Sequence, residues 1–206
     1  QFTINGKNAI YDKISNTYLV SIPEEIFGKN YQAEIKLNTD SAWGNFKIEG
    51  QEITDSYTFE TVKANKEYSV QAIKDGKEIN SQLTFTFLPL LVIEGTFGYD
   101  YSKGSLSLFQ PDTTEPTTSL LKAKWRGGST NTADKHKRNY KIKTLNENGK
   151  KLEISLLGMR EDNNWILDAG QVDLFRLRNR IATEIWNDFA SKPYYTSKEP
   201  KAKSGV

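Results

Sequence analysis

The sequence predicts a mainly β chain with one C-terminal helix, in the α+β class. Short runs rich in aromatic residues, threonine and isoleucine alternate apolar and polar positions, which is typical of half-buried strands. Turn residues separate these runs at close spacing, and one later segment repeats its apolar residues every three or four positions, as an amphipathic helix does. The 206 residues suit one or two domains.

Residues 1–88 are predicted to form an antiparallel β-sandwich. The alternating runs are AEIKLN, GNFKIEG, SYTFE, EYSVQA and QLTFTFL. The sequence KDGK at 74–77 predicts a hairpin turn, because an Asp-Gly pair tolerates the positive φ values that tight turns need. The carboxylates of this part are scattered among polar positions, so we interpret them as solvated faces and not as a catalytic site.

A second unit is predicted to cover residues 89–206. Pro89 breaks the preceding strand because it cannot donate to a strand ladder, and LLVIEG follows as a new strand. Further strands are predicted at SLLKAKWRG, RNYKIKTL, LEISLLG and DNNWILDA. A helix is predicted over 172–190, with Asp173 as its N-cap and Pro193 as its stop. Its apolar stripe should pack on the sheet.

Composition excludes several kinds of enzyme. The chain has no cysteine and one histidine, His136. Disulfides, thiolate zinc sites, cysteine nucleophiles and a two-histidine HExxH site are therefore impossible. A Ser-His-Asp triad would need His136, whose cationic neighbours disfavour the imidazolium that a general base becomes. No run approaches the roughly 18 apolar residues of a membrane helix, so no membrane-spanning segment is predicted.

Charge is unevenly distributed along the chain. The formal net charge is +2, but residues 120–206 contain 18 Lys and Arg against 10 Asp and Glu. The first 119 residues then contain 10 basic and 16 acidic residues. An acidic front and a basic back indicate two units with different partners.

The stretch KWRGGSTNTADKHKRNYKIK, residues 124–143, is a candidate anion site. Its paired glycines let a ligand approach the backbone, and its hydroxyls add donors. An arginine can hold phosphate oxygens in a bidentate way, and two lysines would reach from the adjacent strand. The candidate nucleotide-binding residues are Arg126, Gly127, Gly128, Ser129, Thr130, Lys141 and Lys143.

Two other interpretations of this stretch remain open. It could be an ordinary solvated hairpin, because turns favour Gly, Ser, Asn and Asp, and exposed strand faces favour Lys. It could also bind nucleic acid, with Trp125 or Tyr140 stacking on bases. A sequence pI near 8.5 is modest for a nucleic-acid binder. The turn is neither a Walker loop nor a GxGxxG motif.

This stretch and GMREDNNWILDAGQVDLFRLRNRIATEIWNDF together resemble the spore coat protein H (CotH) family of atypical kinases. The family pattern is an Arg-Gly-(Asn/Gly)-Ser/Thr turn, a Lys-rich Tyr-x-Ile-Lys strand, a Trp-Ile-Leu strand and an Asp-x-x-x-x-Arg-Asn helix. The corresponding elements here are 126–130, 140–143, 165–167, and Asp173 with Arg178 and Asn179. The resemblance covers residues 120–190, about a third of the chain. The preceding β domain resembles the immunoglobulin-like extension of exported members.

The resemblance implies a kinase-like fold that transfers phosphate from ATP, with a divalent metal such as Mg²⁺, onto extracytoplasmic proteins. The catalytic and metal-binding carboxylates of the family lie in the half that follows this helix, and we expect the chain to be truncated relative to that half. We therefore assign no catalytic base and no metal ligand here. Asp168 and Asp173 lie in the motif, and Asp173 is better interpreted as a helix cap.

The expected function is that of a fragment of an exported CotH-like protein kinase. This chain would supply the lobe that holds the phosphates and would be inactive alone. The complete enzyme would use ATP and Mg²⁺ and act on a protein substrate. We expect neither ATP nor Mg²⁺ to bind tightly to this chain. The expected location is the periplasm or cell surface, with a signal or lipid anchor removed. The alternative is a non-enzymatic binding or adhesion module of the cell envelope, with a degenerate kinase-like domain.

Overall fold

The computed structural model describes residues 2–37, 43–74, 77–128, 131–132, 134, 136–171, 173, 175 and 177–189. Over these ranges the chain is mainly β, with three sheets and one C-terminal α-helix. The predicted class is confirmed at this level. Ser129 and Thr130 of the candidate site, the Asp-Gly pair at 75–76 and Pro193 lie outside the described residues.

Fifteen strands lie along the described chain. They are β1 (Phe2–Ile4), β2 (Lys7–Asn8), β3 (Ile10–Asp12), β4 (Thr17–Ser21), β5 (Tyr31–Leu37), β6 (Trp43–Ile48), β7 (Gln51–Glu52), β8 (Ser56–Phe59), β9 (Glu67–Lys74), β10 (Lys77–Thr86), β11 (Leu90–Glu94), β12 (Ser102–Phe109), β13 (Thr117–Arg126), β14 (Asn139–Leu145) and β15 (Asn164–Leu167). A 3-10 helix covers Glu24–Ile26, and helix α1 covers Arg178–Phe189.

The chain divides into two compact units. The first comprises Gln1–Leu91 with Phe109–Pro116, and the second comprises Val92–Leu108 with Thr117–Val206. The segment Phe109–Pro116, which is rich in Pro and Thr, groups with the first unit. Within that unit the Lys7 ammonium donates to the Thr113 carbonyl at 2.7 Å. Burial lowers the pKa of Lys7.

The first unit contains two sheets. One has the strand order β2-β1-β5-β8, and the other has the order β3-β4-β10-β9-β6-β7. Lys74 and Lys77 are paired residues at the end of the β9–β10 ladder, as the predicted hairpin requires. The expectation of a wholly antiparallel arrangement is wrong for one pair, because β4 and β10 run parallel. The long chain between these strands, β5 to β9, makes the crossover that a parallel pair needs.

The core of the first unit draws on both of its sheets. Phe59 of β8 is fully buried, and its ring centroid lies 4.8 Å from that of Phe85 of β10 and 5.0 Å from that of Tyr68 of β9. The predicted alternation is confirmed for most of these runs, whose apolar positions are buried, while Leu37 and Tyr57 are half-buried. Phe87 departs from it at 40% exposure, because β10 ends at Thr86.

The second unit is built on one five-stranded sheet with the order β11-β12-β13-β14-β15. The buried apolar residues of its strands lie on one face and are Leu106, Leu108, Leu121, Ala123 and Ile142. Leu156, from the segment between β14 and β15, joins the same core. Strands β13, β14 and β15 follow the predicted runs. Strand β12 was not predicted, although its sequence SLSLF shows the alternation of a half-buried strand.

Two predicted elements of the second unit differ from the structure in type or in extent. The run LEISLLG is not a strand, since it contributes only isolated bridges and turns at Leu157 and Gly158, both with positive φ. The described helix begins at Arg178 and not at residue 172. A carboxylate oxygen of Asp173 accepts a hydrogen bond from the Arg178 backbone N–H at 2.7 Å. Asp173 therefore satisfies one of the free N–H groups at the start of the helix, but it does so from five residues before the first helical residue.

The apolar stripe of the helix does not pack as predicted. Ile181, Ile185 and Trp186 are 47%, 50% and 68% exposed. In the described part of the chain, no helix combines the length and the apolar character needed to cross a membrane.

Candidate anion-binding face

The predicted glycine turn follows the end of a strand. Arg126 is the last residue of β13 and is exposed. Gly127 has φ 106°, a backbone conformation that a side chain would strain. A Cβ on Gly128 would meet nothing within 4 Å. Gly128 therefore has open space on the side where a side chain would stand. That a ligand approaches the backbone here stays a prediction.

The two predicted lysines lie on the neighbouring strand, opposite two further lysines. Lys143 of β14 pairs with Lys122 of β13, and Lys141 pairs with Lys124. All four side chains are half-buried and share one face, because directly opposed residues of an antiparallel pair point the same way. The pairing of Lys122 with Lys143 and of Lys124 with Lys141 depends on the strand register. The sequence of one strand does not give that register, so sequence reasoning assigned neither Lys122 nor Lys124 to the site.

The same face extends across a third strand. Lys103 of β12 pairs with Lys122, so Lys103, Lys122 and Lys143 form a row across three adjacent strands. We name this surface the lysine face; its members are Lys103, Lys122, Lys124, Lys141 and Lys143. The core covers the opposite face of the sheet, where the alternate residues Leu121, Ala123 and Ile142 are buried.

Tyr101, just before β12, contacts three lysines of this face. The ammonium groups of Lys124, Lys143 and Lys122 lie 5.1, 5.3 and 5.9 Å from its ring centroid. Each such contact stabilises a cation by about 0.5–1 kcal/mol at an exposed site. Sequence reasoning missed Tyr101, although its place two residues before Lys103 put it on the same side of an extended chain.

No ion pair joins the five lysines of this face to a carboxylate among the described residues, although the Glu94 carboxylate accepts a hydrogen bond from Ser105 on the same face. Within that part of the chain, no Asp or Glu oxygen lies within ion-pair distance of the five ammonium groups. Like charges placed directly opposite each other destabilise a sheet. The face therefore presents concentrated positive charge that an anion would neutralise.

The aromatic residues suggested as base-stacking platforms contact other protein groups. The Arg138 guanidinium lies 4.9 Å from the Trp125 ring centroid, and the Tyr99 ring lies 5.1 Å from it. Tyr140 makes an edge contact with Phe97 at 5.8 Å. Tyr101 is the aromatic ring that lies among the lysines of this face, and it contacts their ammonium groups.

The loop after the glycine turn is held by side-chain hydrogen bonds. Arg138 donates to the Thr132 carbonyl at 2.6 Å and to the Asn131 side-chain oxygen at 3.3 Å. The Asn131 amide nitrogen is buried and has no hydrogen-bond partner among the described residues.

The two aspartates of the motif have structural contacts. Asp168, just after β15, accepts a hydrogen bond from the Asn179 side-chain amide at 2.7 Å, which links the helix to the end of the sheet. Asp173 accepts from the start of the helix, as described above. No group of three or more His, Asp and Glu residues within the described ranges could hold a metal ion.

Comparisons of the chain with models of protein families, with curated proteins and with solved structures gave no match.

Proposed function

We propose that this chain is the phosphate-gripping part of an exported CotH-like atypical protein kinase. In this proposal an immunoglobulin-like β-sandwich is followed by the N-terminal portion of a kinase-like domain. The observation that carries the proposal is the position of Lys141 and Lys143 on one cationic face, on the strand next to the one that ends in the Arg126 turn. A strand, a glycine turn and a lysine-bearing strand are the parts with which kinases hold ATP phosphates.

The sandwich assignment is supported by the shared core of the first unit. Residues from its two sheets are buried together, with Phe59 of one sheet against Phe85 of the other. Two sheets packed face to face through alternate apolar residues are the basis of a sandwich. The parallel β4–β10 pair is a departure from the simple antiparallel pattern.

The residues of this chain would bind and orient the phosphates of the nucleotide. The lysines neutralise phosphate oxygens as point charges, and Arg126 can hold two oxygens at once. The open backbone at Gly127 and Gly128 lets amide groups approach the same anion. A divalent metal would bridge phosphates in the complete enzyme, but the described residues suggest no ligands for it, so we place none in this chain. Phosphoryl transfer also needs a positioned acceptor, and we expect no turnover by this chain alone.

Calorimetric titration of the full chain with ATP tests the proposal. We expect Arg126→Gln and Lys143→Gln each to weaken ATP binding by about tenfold to a hundredfold, because a hydrogen bond to a charged group contributes about 1.5–3 kcal/mol. Lys29→Gln is the matched control, since this exposed lysine lies in the first unit. Unchanged ATP affinity in both site variants would reject the phosphate site.

A second candidate is a non-enzymatic module of the cell envelope, in which the kinase-like part only binds. The exposed apolar residues Ile181, Ile185 and Trp186 favour it, because clustered apolar side chains on a helix often mark an interaction surface. Phosphate transfer from labelled ATP to any protein by the complete gene product would reject this candidate.

A further inference from the structure

The lysine face is wider than a single phosphate group needs. Strands lie about 4.8 Å apart, so the row of Lys103, Lys122 and Lys143 covers roughly 10 Å. A second row, formed by Lys124 and Lys141, lies next to it on the same face. The proposed turn site uses Lys141 and Lys143 and leaves three lysines of this face without a role.

The face is held in shape by the fold. Leu121 and Ala123 alternate with Lys122 and Lys124 on β13 and are buried in the core below. The burial of these alternate residues sets the side to which the lysines point. The charges are thus gathered before any ligand arrives, which reduces the ordering that binding must impose.

Tyr101 brings three of these ammonium groups close together. Three ammonium groups from two strands lie within 5.9 Å of its ring centroid. Ammonium groups on long stems are mobile point charges without the bidentate geometry of arginine, and they suit several phosphate groups in succession. The ring face that a nucleic-acid base would need is occupied by these cations, which disfavours stacking.

We propose that the lysine face binds a linear oligophosphate, an anion with three or more consecutive phosphate groups, laid across β12, β13 and β14 over Tyr101. The proposal rests on the proposed function in sharing Lys141 and Lys143, and it adds Lys103, Lys122 and Lys124 to the contacts. The oligophosphate could belong to a nucleoside triphosphate or to an inorganic chain, because both present the same phosphate groups.

Titration of the full chain with orthophosphate, pyrophosphate and tripolyphosphate tests the proposal. We expect affinity to rise with each added phosphate. The double substitution Lys103→Gln with Lys122→Gln should weaken tripolyphosphate binding at least tenfold. The matched control, Lys29→Gln with Lys63→Gln, removes the same charge from exposed positions of the first unit and should change binding less than twofold.

Two further binding measurements identify the ligand and control for misfolding of the variants. Tighter binding of ATP than of tripolyphosphate would identify a nucleoside triphosphate, and equal binding would identify the phosphate chain alone; both outcomes support the proposal. The charge-retaining pair Lys103→Arg with Lys122→Arg should keep the affinity. A loss with this pair equal to the glutamine loss would overturn a charge-based site.

Three results would overturn the proposal. The first is an affinity that does not rise with the number of phosphate groups, and the second is an equal loss of tripolyphosphate affinity in the control variant. The third is tighter binding of a single-stranded oligothymidylate than of tripolyphosphate, which would make this a nucleic-acid surface. The variant Arg126→Gln separates the two proposals. If Arg126→Gln leaves the ATP affinity unchanged while the Lys103 and Lys122 double variant loses affinity for tripolyphosphate, the turn site is rejected and the lysine face is supported.

Discussion

The two units of this chain use their sheets in different ways. In the first, two sheets bury an aromatic core between them, and Phe59 contacts rings from both sheets. In the second, one sheet has an apolar core on one face and five lysines on the other. The first unit is thus stabilised by packing, while the second keeps a charged surface that opposes its own stability. Under the proposed function, the charged face of the second unit is therefore the place to test for anion binding.

The largest effect is expected from the aromatic core of the first unit. Phe59→Ala should destabilise that unit by about 3–5 kcal/mol, because the substitution removes a fully buried ring and leaves a cavity. Hydrogen exchange read by mass spectrometry should show faster exchange in peptides from β9 and β10. Phe87→Ala is the control, since this ring is 40% exposed, and it should have a much smaller effect. Equal effects of the two variants would contradict the packing described for this unit.

A smaller but clear loss is expected from a glycine in the second unit. A Cβ on Gly104 would lie 2.2 Å from the Glu94 carbonyl oxygen and 2.8 Å from the Phe97 ring. Because the backbone oxygen cannot move freely, Gly104→Ala should destabilise the sheet by about 1–3 kcal/mol, measured by urea unfolding. Gly98→Ala is the matched control, because its Cβ would meet nothing within 4 Å. Full stability of Gly104→Ala would mean that β11 and β12 do not approach as described.

The smallest effect is expected on the lysine face, and it has the opposite sign. Lys141→Gln should stabilise the second unit by about 0.2–1 kcal/mol at low salt, because it removes a like charge directly opposite Lys124. High salt should remove the gain by screening. The same variant should weaken phosphate binding. Urea unfolding at two salt concentrations measures the first effect, and a stability loss at low salt would contradict the view that these charges oppose folding.

The sequence predicted the strands that show regular alternation. Tyr68 and Val70 of β9, and Leu121 and Ala123 of β13, are buried as their spacing indicated. This is because a strand with one buried face needs apolar residues at every second position, and the requirement is local. The pattern failed at LEISLLG, where a run of apolar residues forms turns and isolated bridges instead of a strand.

The helix shows a different limit of sequence reasoning. The three-to-four spacing correctly predicted a helix near the C-terminus, but its described part begins at Arg178, and the exposure of Ile181 and Ile185 contradicts the expected packing. Periodicity shows that a helix has an apolar side, but it carries no information on what covers that side.

The sequence by itself determined the mainly β class, the alternation of lysines with buried apolar residues on two strands, and the glycine turn beside them. These features depend on neighbours in the chain. Only the tertiary structure decided the parallel β4–β10 pair, the row formed by Lys103, Lys122 and Lys143, and the place of Tyr101 among the ammonium groups. They depend on which strands pair and in which register, and that is set by contacts between residues far apart in the chain.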